Sequence, residues 1–101
     1  MSKYRSVKTE VNGIKFDSKK EAARYQQLKL LERAGQISYL ELQPRFDLIV
    51  NGTNCGFYKA DFRYQENGKV VVEDVKGMKT PVYNLKKKLM RAIHGIEVYE
   101  T

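Results

Sequence analysis

The chain has 101 residues, enough for one hydrophobic core and too few for a second, so we predict a single domain over residues 1–101. A hydrophobic fraction of 42% and an aromatic fraction of 11% exclude a disordered chain. The formal net charge of +7 favours nucleic acid as a partner. The apolar stretches are too short for a membrane span and the N-terminus has no secretory signal, so we expect a cytoplasmic protein without a membrane partner.

The single cysteine, Cys55, and the single histidine, His94, exclude some kinds of site. One cysteine forms no internal disulfide and no cysteine-based zinc site, which fits a reducing compartment. The two residues are far apart in sequence and no signature surrounds either, so we interpret both as structural or incidental rather than as a nucleophile and its base.

The first part of the chain predicts a hairpin followed by a helix. Between Ser6 and Phe16 the central Asn12-Gly13 is flanked by strand-forming residues, the pattern of a tight β-hairpin. Residues 18–21 have the form of a capping box, and apolar residues then recur at helical spacing to Ala34, with Gly35 as the stop. We expect a first helix of about four turns.

The middle of the chain predicts a sheet. Short strands are expected at Ile37 to Leu42 and at Phe46 to Val50. Two further strands, Phe57 to Tyr64 and Lys69 to Val75, are joined by a short loop at Gln65 to Gly68 that suits an antiparallel hairpin.

The last part of the chain predicts a second helix and a final strand. Thr80-Pro81 has the form of a helix start and Gly95 of a helix end. The expected apolar stripe of this helix consists of Val82, Leu85, Leu89 and Ile93. A closing strand is expected at Ile96 to Tyr99. The order of helix, strands, helix and strand predicts the α/β class, with both helices covering the sheet.

Two acids and a lysine are placed together by strand geometry. Residues two apart on a strand point the same way, so Asp74 and Lys76 share the face of Val70 and Val72 and lie at the strand end. Antiparallel pairing brings Asp61 within reach of Asp74, given a bulge or stagger. Two carboxylates beside a lysine suit a hard cation such as Mg²⁺, with the lysine offsetting charge on a phosphate. Solvated strand-end acids are the alternative.

The pattern of Asp61 followed by Asp74-Val75-Lys76 resembles the D…(D/E)xK signature of the PD-(D/E)XK nucleases, with Ala60 in place of the name-giving proline. The segments FDSKKEAARY, LQPRF, YKADFRY and VVVEDVKG together resemble a small phage-encoded family of uncharacterised PD-(D/E)XK endonucleases. The resemblance implies a restriction-endonuclease-like core of α-β-β-β-α-β order, a central mixed sheet flanked by helices, here with an N-terminal β-hairpin. Glu73 is the alternative acid if the register is shifted.

The resemblance also implies a metal site. The superfamily places a further glutamate on its first helix, and Glu21 is the matching position. Glu21, Asp61 and Asp74 would then hold Mg²⁺, with Mn²⁺ as a substitute, and Lys76 would complete the catalytic set. No small-molecule cofactor is expected. A capping box with Ser18 explains Glu21 as well, so ligand and cap both stay open.

A basic segment between Gly77 and Ile96 contains no acid and predicts a DNA-binding surface, with a solvated helix face as the alternative. Its cations are Lys79, Lys86, Lys87, Lys88 and Arg91. In the superfamily the second helix often adds a polar residue to the site, for which Tyr83 and Lys87 are candidates. Gln43 is a further candidate for approaching the scissile phosphate, with a turn residue as its alternative.

Together these features predict a metal-dependent DNA endonuclease that hydrolyses phosphodiester bonds. The resemblance implies a resolvase of Holliday junctions or branched DNA in phage recombination, acting in the cytoplasm of a bacterial host cell. The chain is too small to grip both strands, so we expect a homodimer. Two alternatives stay open: a catalytically silent nucleic-acid-binding or regulatory phage protein that keeps the fold, and a phage factor that binds a host protein through its basic surface.

Overall fold

The N-terminal part of the described chain is a small hairpin; the computed structural model describes residues 8–101. Strand β1 (Thr9–Val11) pairs with β2 (Ile14–Phe16) in antiparallel register. The linking Asn12-Gly13 has positive φ at both residues, which a two-residue type I′ turn requires. The predicted hairpin is confirmed for these residues, whereas Ser6 lies outside the described part of the chain.

Helix α1 (Lys19–Arg33) begins and ends where the sequence predicts. Ser18 is its N-cap, and the Ser18 Oγ accepts a hydrogen bond of 3.1 Å from the backbone N–H of Glu21. Its buried face carries Ala22, Tyr25 and Leu28, which join an apolar cluster with Phe62 and Tyr64.

A four-stranded mixed sheet is the centre of the fold. Its strands are β3 (Ser38–Leu42), β6 (Phe62–Glu66), β7 (Lys69–Asp74) and β8 (Tyr99–Glu100), in that spatial order. The pairs β3·β6 and β6·β7 are antiparallel, whereas β8 runs parallel to β7. The final strand begins at Tyr99 rather than at Ile96, because only the last residues of this segment reach β7.

The remaining strands, β4 (Arg45–Val50) and β5 (Thr53–Lys59), form a separate antiparallel ribbon. The predicted single strand from Phe57 to Tyr64 is therefore wrong, because Ala60 and Asp61 interrupt it where the chain passes from the ribbon to the main sheet. The alternation of buried and exposed side chains continues through this bend, which is why the sequence pattern does not reveal it.

The two helices cover opposite faces of the main sheet. Neighbouring residues of a strand point to opposite faces, and Val71 of β7 packs in the α1 cluster whereas Val72 packs in the other. That second cluster contains helix α2 (Pro81–His94) and the inner face of the ribbon. Its buried members are Phe46, Leu48, Tyr58, Ala60, Val72, Tyr83, Met90 and Val98. The α/β class with helices on both faces is thus confirmed.

Helix α2 has the predicted caps but a different buried face. The Thr80 Oγ1 accepts a 3.1 Å hydrogen bond from the backbone N–H of Tyr83, and Gly95 ends the helix at a φ of 66°. Val82 and Leu85 were expected in the core, yet they are 63% and 57% exposed. The helix rotates Tyr83 and Met90 inward instead, with Leu89 and Ile93 at the margin, because the core here lies between the sheet and the ribbon. Within residues 8–101 neither helix is long and apolar enough to cross a bilayer.

Candidate active site

The β6–β7 hairpin determines where the two predicted acids lie. Its turn is Asn67-Gly68, both at positive φ, so it has two residues rather than the four expected from the sequence. In the resulting register Phe62 lies opposite Glu73, which is the last pair of the ladder before the bend at Asp61. The backbone N–H of Asp61 donates to the carbonyl oxygen of Glu73 at 3.2 Å. This bond is one residue out of the register of the ladder, so the strand is irregular at Asp61, in agreement with the bulge or stagger that we expected, and the Asp61 and Asp74 side chains lie close enough to interact.

Asp74 is only 2% exposed and both of its carboxylate oxygens have partners. The Tyr58 hydroxyl donates a hydrogen bond to Oδ2. The Lys76 Nζ lies 3.4 Å from Oδ1 and also 4.2 Å from the centre of the Tyr83 ring. Lys76 is therefore held between a carboxylate and an aromatic face, at the end of β7.

Asp61 accepts a hydrogen bond from the backbone, and burial and neighbouring negative charges raise its pKa. Its Oδ2 accepts a 2.7 Å hydrogen bond from the backbone N–H of Val75. Burial raises the pKa of Asp61 well above its usual range, and the hydrogen-bonded, negatively charged Asp74 and the charge of Glu21 raise it further. The Asp61 carboxyl therefore tends to keep its proton, because two buried carboxylates side by side repel each other.

Glu21 lies on the same side of the molecule as this pair. It is 5% exposed, and its pKa is raised by burial, by Asp17 and by Asp74, while Lys76 acts in the opposite direction. Glu21 and Asp61 both line a pocket of about 190 Å³. The capping hydrogen bond uses the Glu21 backbone N–H and the Ser18 side chain, whereas the Glu21 carboxylate is hydrogen-bonded to the backbone of Asp17, which lowers its pKa.

Glu73 lies on the opposite face of β7, away from the site. Its carboxylate accepts hydrogen bonds from the Arg24 Nε at 2.6 Å and Nη2 at 3.0 Å, from the Tyr64 hydroxyl at 2.8 Å and from the Thr101 hydroxyl at 3.0 Å. The negative charge of this buried acid is balanced by Arg24 and by these hydrogen bonds. In this register Glu73 is a structural residue and Asp74 is the acid that faces Asp61.

The donor set fits a hard cation at the Asp61–Asp74 pair. Carboxylate oxygens are the ligands that Mg²⁺ prefers, and a cation would relieve the repulsion that raises the pKa of Asp61. Among residues 8–101 no three His, Cys, Asp or Glu side chains form a ready set of metal ligands. Asp61 and Asp74 are thus the two facing acids, with Glu21 as the nearest further carboxylate in the charge network.

The predicted DNA-binding residues of the basic segment fall into two groups, those that interact with Glu100 and those that do not. The Glu100 carboxylate of β8 accepts a 2.7 Å hydrogen bond from the Tyr83 hydroxyl. It also forms ion pairs with the Nζ of Lys79 at 3.0 Å and with the Nζ of Lys87 at 3.3 Å. These interactions lower the pKa of Glu100. The Tyr83 ring borders the site through Lys76, although its hydroxyl points to β8.

The other cations of the basic segment are more open. Lys86 lies beside Phe57, and Arg91 is 3.8 Å from Glu97 with both side chains exposed. Lys88 is exposed and forms no ion pair with any described residue. The segment is therefore a partly neutralised surface, in which Glu100 pairs with Lys79 and Lys87 while Lys86, Lys88 and Arg91 are more open.

Gln43 lies next to the acids between β3 and β4. Its φ is 51°, and its backbone N–H donates to the carbonyl oxygen of Asp61 at 2.9 Å. Its side chain lines the same pocket as Glu21 and Asp61, together with Lys15 of the N-terminal hairpin. Gln43 is thus a turn residue by its backbone and a pocket residue by its side chain.

Sequence reasoning missed three residues of this region. Tyr58 binds Asp74 across the bend at Ala60, Lys15 lines the pocket, and Glu100 neutralises part of the basic segment. Each meets the other residues of this region through packing between elements that are not neighbours in the chain. Neither spacing nor composition links them to the acids, so no local signal identifies them.

These features define a small α/β protein whose central mixed sheet carries two facing carboxylates and a lysine at the end of one strand. The chain belongs to the family described as a protein of unknown function (DUF1064), whose model matches residues 1–99. No curated protein and no solved structure matches the chain.

Proposed function

We propose that the protein is a Mg²⁺-dependent DNA endonuclease of the PD-(D/E)XK type. The observation that carries this proposal is the close approach of the Asp61 and Asp74 carboxyl groups, with the Asp61 Oδ2 2.7 Å from the backbone N of Val75 and the Lys76 Nζ 3.4 Å from Asp74. The order α1, β3, β6, β7, α2, β8 around the mixed sheet supports a restriction-endonuclease-like core. The β1–β2 hairpin and the β4–β5 ribbon are then additions to that core.

Asp61 and Asp74 would hold the ion, with Glu21 as a third carboxylate. When bound, Mg²⁺ stabilises negative charge on a phosphate and makes a water molecule a better nucleophile at neutral pH. The acids are placed for this role because the backbone N–H of Val75 fixes the Asp61 carboxylate and the Tyr58 hydroxyl fixes that of Asp74. Rotation of either carboxylate would cost a buried hydrogen bond.

Lys76 is the positively charged residue of the proposed site. Its ammonium group is held beside Asp74 and over the Tyr83 ring, so it needs little reorganisation to contact a phosphate oxygen. The Lys20 Nζ donates to the backbone carbonyl of Lys76 at 3.2 Å and restrains the chain where it leaves β7. Charge that develops on the phosphate during hydrolysis is offset by this fixed ammonium.

Branched DNA is the substrate that we favour, in the manner of a phage resolvase in the host cytoplasm. The open cations of α2 would contact the phosphate backbone of such a substrate. A chain of this size contacts one strand at a time, so cleavage of both strands requires a second copy, most simply in a symmetric dimer.

The test is cleavage of supercoiled plasmid, linear duplex, single strand and four-way junction, each with Mg²⁺ or with a chelator. We expect Mg²⁺-dependent cleavage that Asp74→Asn or Lys76→Ala reduces by about 10²-fold to 10³-fold, because each removes charge stabilisation from the transition state. Folding and DNA retention should change little, since neither side chain is part of the apolar clusters.

Glu66→Gln and Lys69→Ala are the matched controls, because both side chains are exposed and lie at the turn end of the β6–β7 hairpin, away from the site. Rates within a few-fold of wild type for the Asp74 and Lys76 variants would contradict the site. DNA binding without cleavage of any substrate would instead favour a silent nucleic-acid-binding protein that keeps the fold.

A further inference from the structure

An exposed aromatic ring with two cations lies on the outer face of the β4–β5 ribbon. Phe57 of β5 is 39% exposed although its neighbour Tyr58 is buried. The guanidinium carbon of Arg45 lies 4.0 Å from the centre of the Phe57 ring, and the Lys86 Nζ lies 5.3 Å from it. Phe57, Arg45 and Lys86 therefore form a positively charged surface around an aromatic ring, the ribbon platform.

The charge of the ribbon platform is not explained by the stability of the fold. Arg45 and Lys59 are direct partners in the antiparallel register, and both side chains are exposed. Like charges opposite each other destabilise a sheet. Asp47 lies 3.6 Å from Arg45, but both side chains are more than half exposed, and such a pair contributes little. A partner that carries negative charge would compensate these cations.

The shape of the platform indicates which part of that partner it contacts. A phosphate alone needs only cations, whereas an aromatic ring stacked with a guanidinium group is a surface on which a nucleobase stacks. In a duplex the faces of the bases are covered by their neighbours, so only an unpaired base can reach such a ring. Lysine and arginine beside the ring supply contacts to the flanking phosphates.

The platform is close to the candidate active site along the chain. Strand β5 ends at Lys59, and Asp61 follows after the bend at Ala60. At about 3.3 Å per residue, the four steps from Phe57 to Asp61 span at most about 13 Å, which a DNA strand covers in about four nucleotides or fewer. The inner face of the ribbon packs in the core through Phe46 and Tyr58, which fixes the position of the outer face relative to the core.

We propose that the ribbon platform of Phe57, Arg45 and Lys86 binds the bases of a single-stranded segment of DNA next to the candidate active site. This inference rests on the proposed function for its choice of DNA and narrows the substrate to DNA with unpaired nucleotides near the cut. A junction, a flap or a single-strand tail has such nucleotides, and an uninterrupted duplex has none.

The experiment compares two labelled strands of about 16 nucleotides, oligothymidylate and an abasic strand of the same length and charge, by fluorescence anisotropy in a chelator. We expect the wild-type protein to bind oligothymidylate about tenfold more tightly than the abasic strand. Phe57→Leu keeps an apolar side chain but removes the ring, so it should abolish this difference. Arg45→Lys keeps the charge but not the planar group, so it should reduce the difference partly.

Tyr99→Leu is the matched control, because Tyr99 is 52% exposed and pairs with Glu73, on the face of the sheet opposite the ribbon. This variant should keep the full preference for oligothymidylate. Equal affinity of the wild-type protein for both strands, or an unchanged preference in Phe57→Leu, would overturn the inference. Binding in a chelator does not depend on cleavage, so failure of the nuclease assay and failure of the platform are separate results.

Discussion

Glu73 and Asp74 are neighbours in sequence, yet their carboxylates lie in opposite environments. Glu73 is neutralised by Arg24 and two hydroxyl groups, which makes it part of the packing between α1 and the sheet. Asp74 lies beside Asp61, and its carboxylate forms an ion pair with Lys76 at 3.4 Å. Since strand neighbours point to opposite faces, one residue step separates a structural acid from a candidate catalytic one.

Glu21 gives the sharpest prediction at this scale, because the structure separates its two roles. Glu21→Gln keeps the backbone N–H that binds Ser18 but removes the negative charge, so we expect stability to hold and cleavage to fall about 10-fold to 100-fold. The remaining activity should need more Mg²⁺. The measurement is the cleavage rate as a function of Mg²⁺ concentration, with the melting temperature recorded for each variant.

Ser18→Ala is the complementary control for Glu21. It removes the oxygen that caps α1 and should cost about 1 kcal/mol of stability without changing the Mg²⁺ dependence. A fully active Glu21→Gln enzyme with normal Mg²⁺ dependence would remove Glu21 from the site and leave Asp61, Asp74 and Lys76.

At the scale of elements, the sequence predicts the helix ends and turns that are determined by residues close together in the chain. The limits of α1 and α2 follow from Ser18, Thr80 and Gly95, and the first hairpin follows from Asn12-Gly13. The break at Ala60 is hidden because side-chain alternation continues across it. The buried face of α2 is hidden because Val82 and Leu85 are as apolar as the residues that the core takes.

The candidate site likewise contains residues that the sequence predicts and residues that it does not. Asp61, Asp74 and Lys76 follow from strand parity and from a turn that joins two successive strands, so their proximity is predictable. Tyr58 and Glu100 reach their partners through packing between elements that no local pattern links. Their roles become visible only in three dimensions.

The exposed face of α2 carries a prediction about binding. Replacing Lys86, Lys87 and Lys88 by alanine should weaken binding to every DNA sequence and flatten the dependence of affinity on salt, since each phosphate contact contributes about 0.9 to the logarithmic slope. Glu100 already pairs with Lys87, so we expect a loss of about two contacts rather than three. The measurement is affinity for duplexes of unrelated sequence over a salt series.

A control with equal loss of charge replaces Lys29, Arg33 and Lys69 by alanine. These residues lie on the C-terminal half of α1 and at the start of β7, away from the candidate site. Their loss should leave the salt slope close to that of the wild type. An unchanged slope in the α2 variant as well would show that its lysines are only a solvated face.

At the scale of the whole molecule, the acid pair lowers the stability of the fold. The pKa of Asp61 is raised in the folded protein by burial and by Asp74, so the folded state keeps a proton that the unfolded state releases. The folded state is thus favoured at acidic pH, and this contribution is lost as pH rises from about 4 through the raised pKa of Asp61.

Asp61→Asn should therefore raise the melting temperature at neutral pH, where the wild-type carboxyl is ionised in the unfolded state but tends to stay protonated in the folded one, and have little effect at acidic pH, where it is neutral in both states. A gain of about 1 kcal/mol corresponds to roughly 4–8 °C for a domain of this size. Mg²⁺ should raise the melting temperature of the wild type more than that of the variant, because the ion needs both carboxylates. Thermal unfolding over a pH series, with and without Mg²⁺, measures both effects.

Asp47→Asn is the comparison for the stability measurement, since Asp47 lies on the exposed face of the ribbon. It should show neither the gain at neutral pH nor the reduced response to Mg²⁺. A melting temperature of Asp61→Asn below that of the wild type at neutral pH would mean that the Asp61 charge stabilises the fold, contrary to the repulsion inferred here.

The turn at Asn67-Gly68 has a consequence for how this family can vary. Exposed turns usually tolerate insertions during evolution. Here one additional residue would shift β7 along β6 and place Glu73, rather than Asp74, on the face of Asp61, while Arg24 would lose its partner. A surface turn distant from the acids is thus constrained in length by them, so natural variation should change its residue types before its residue number.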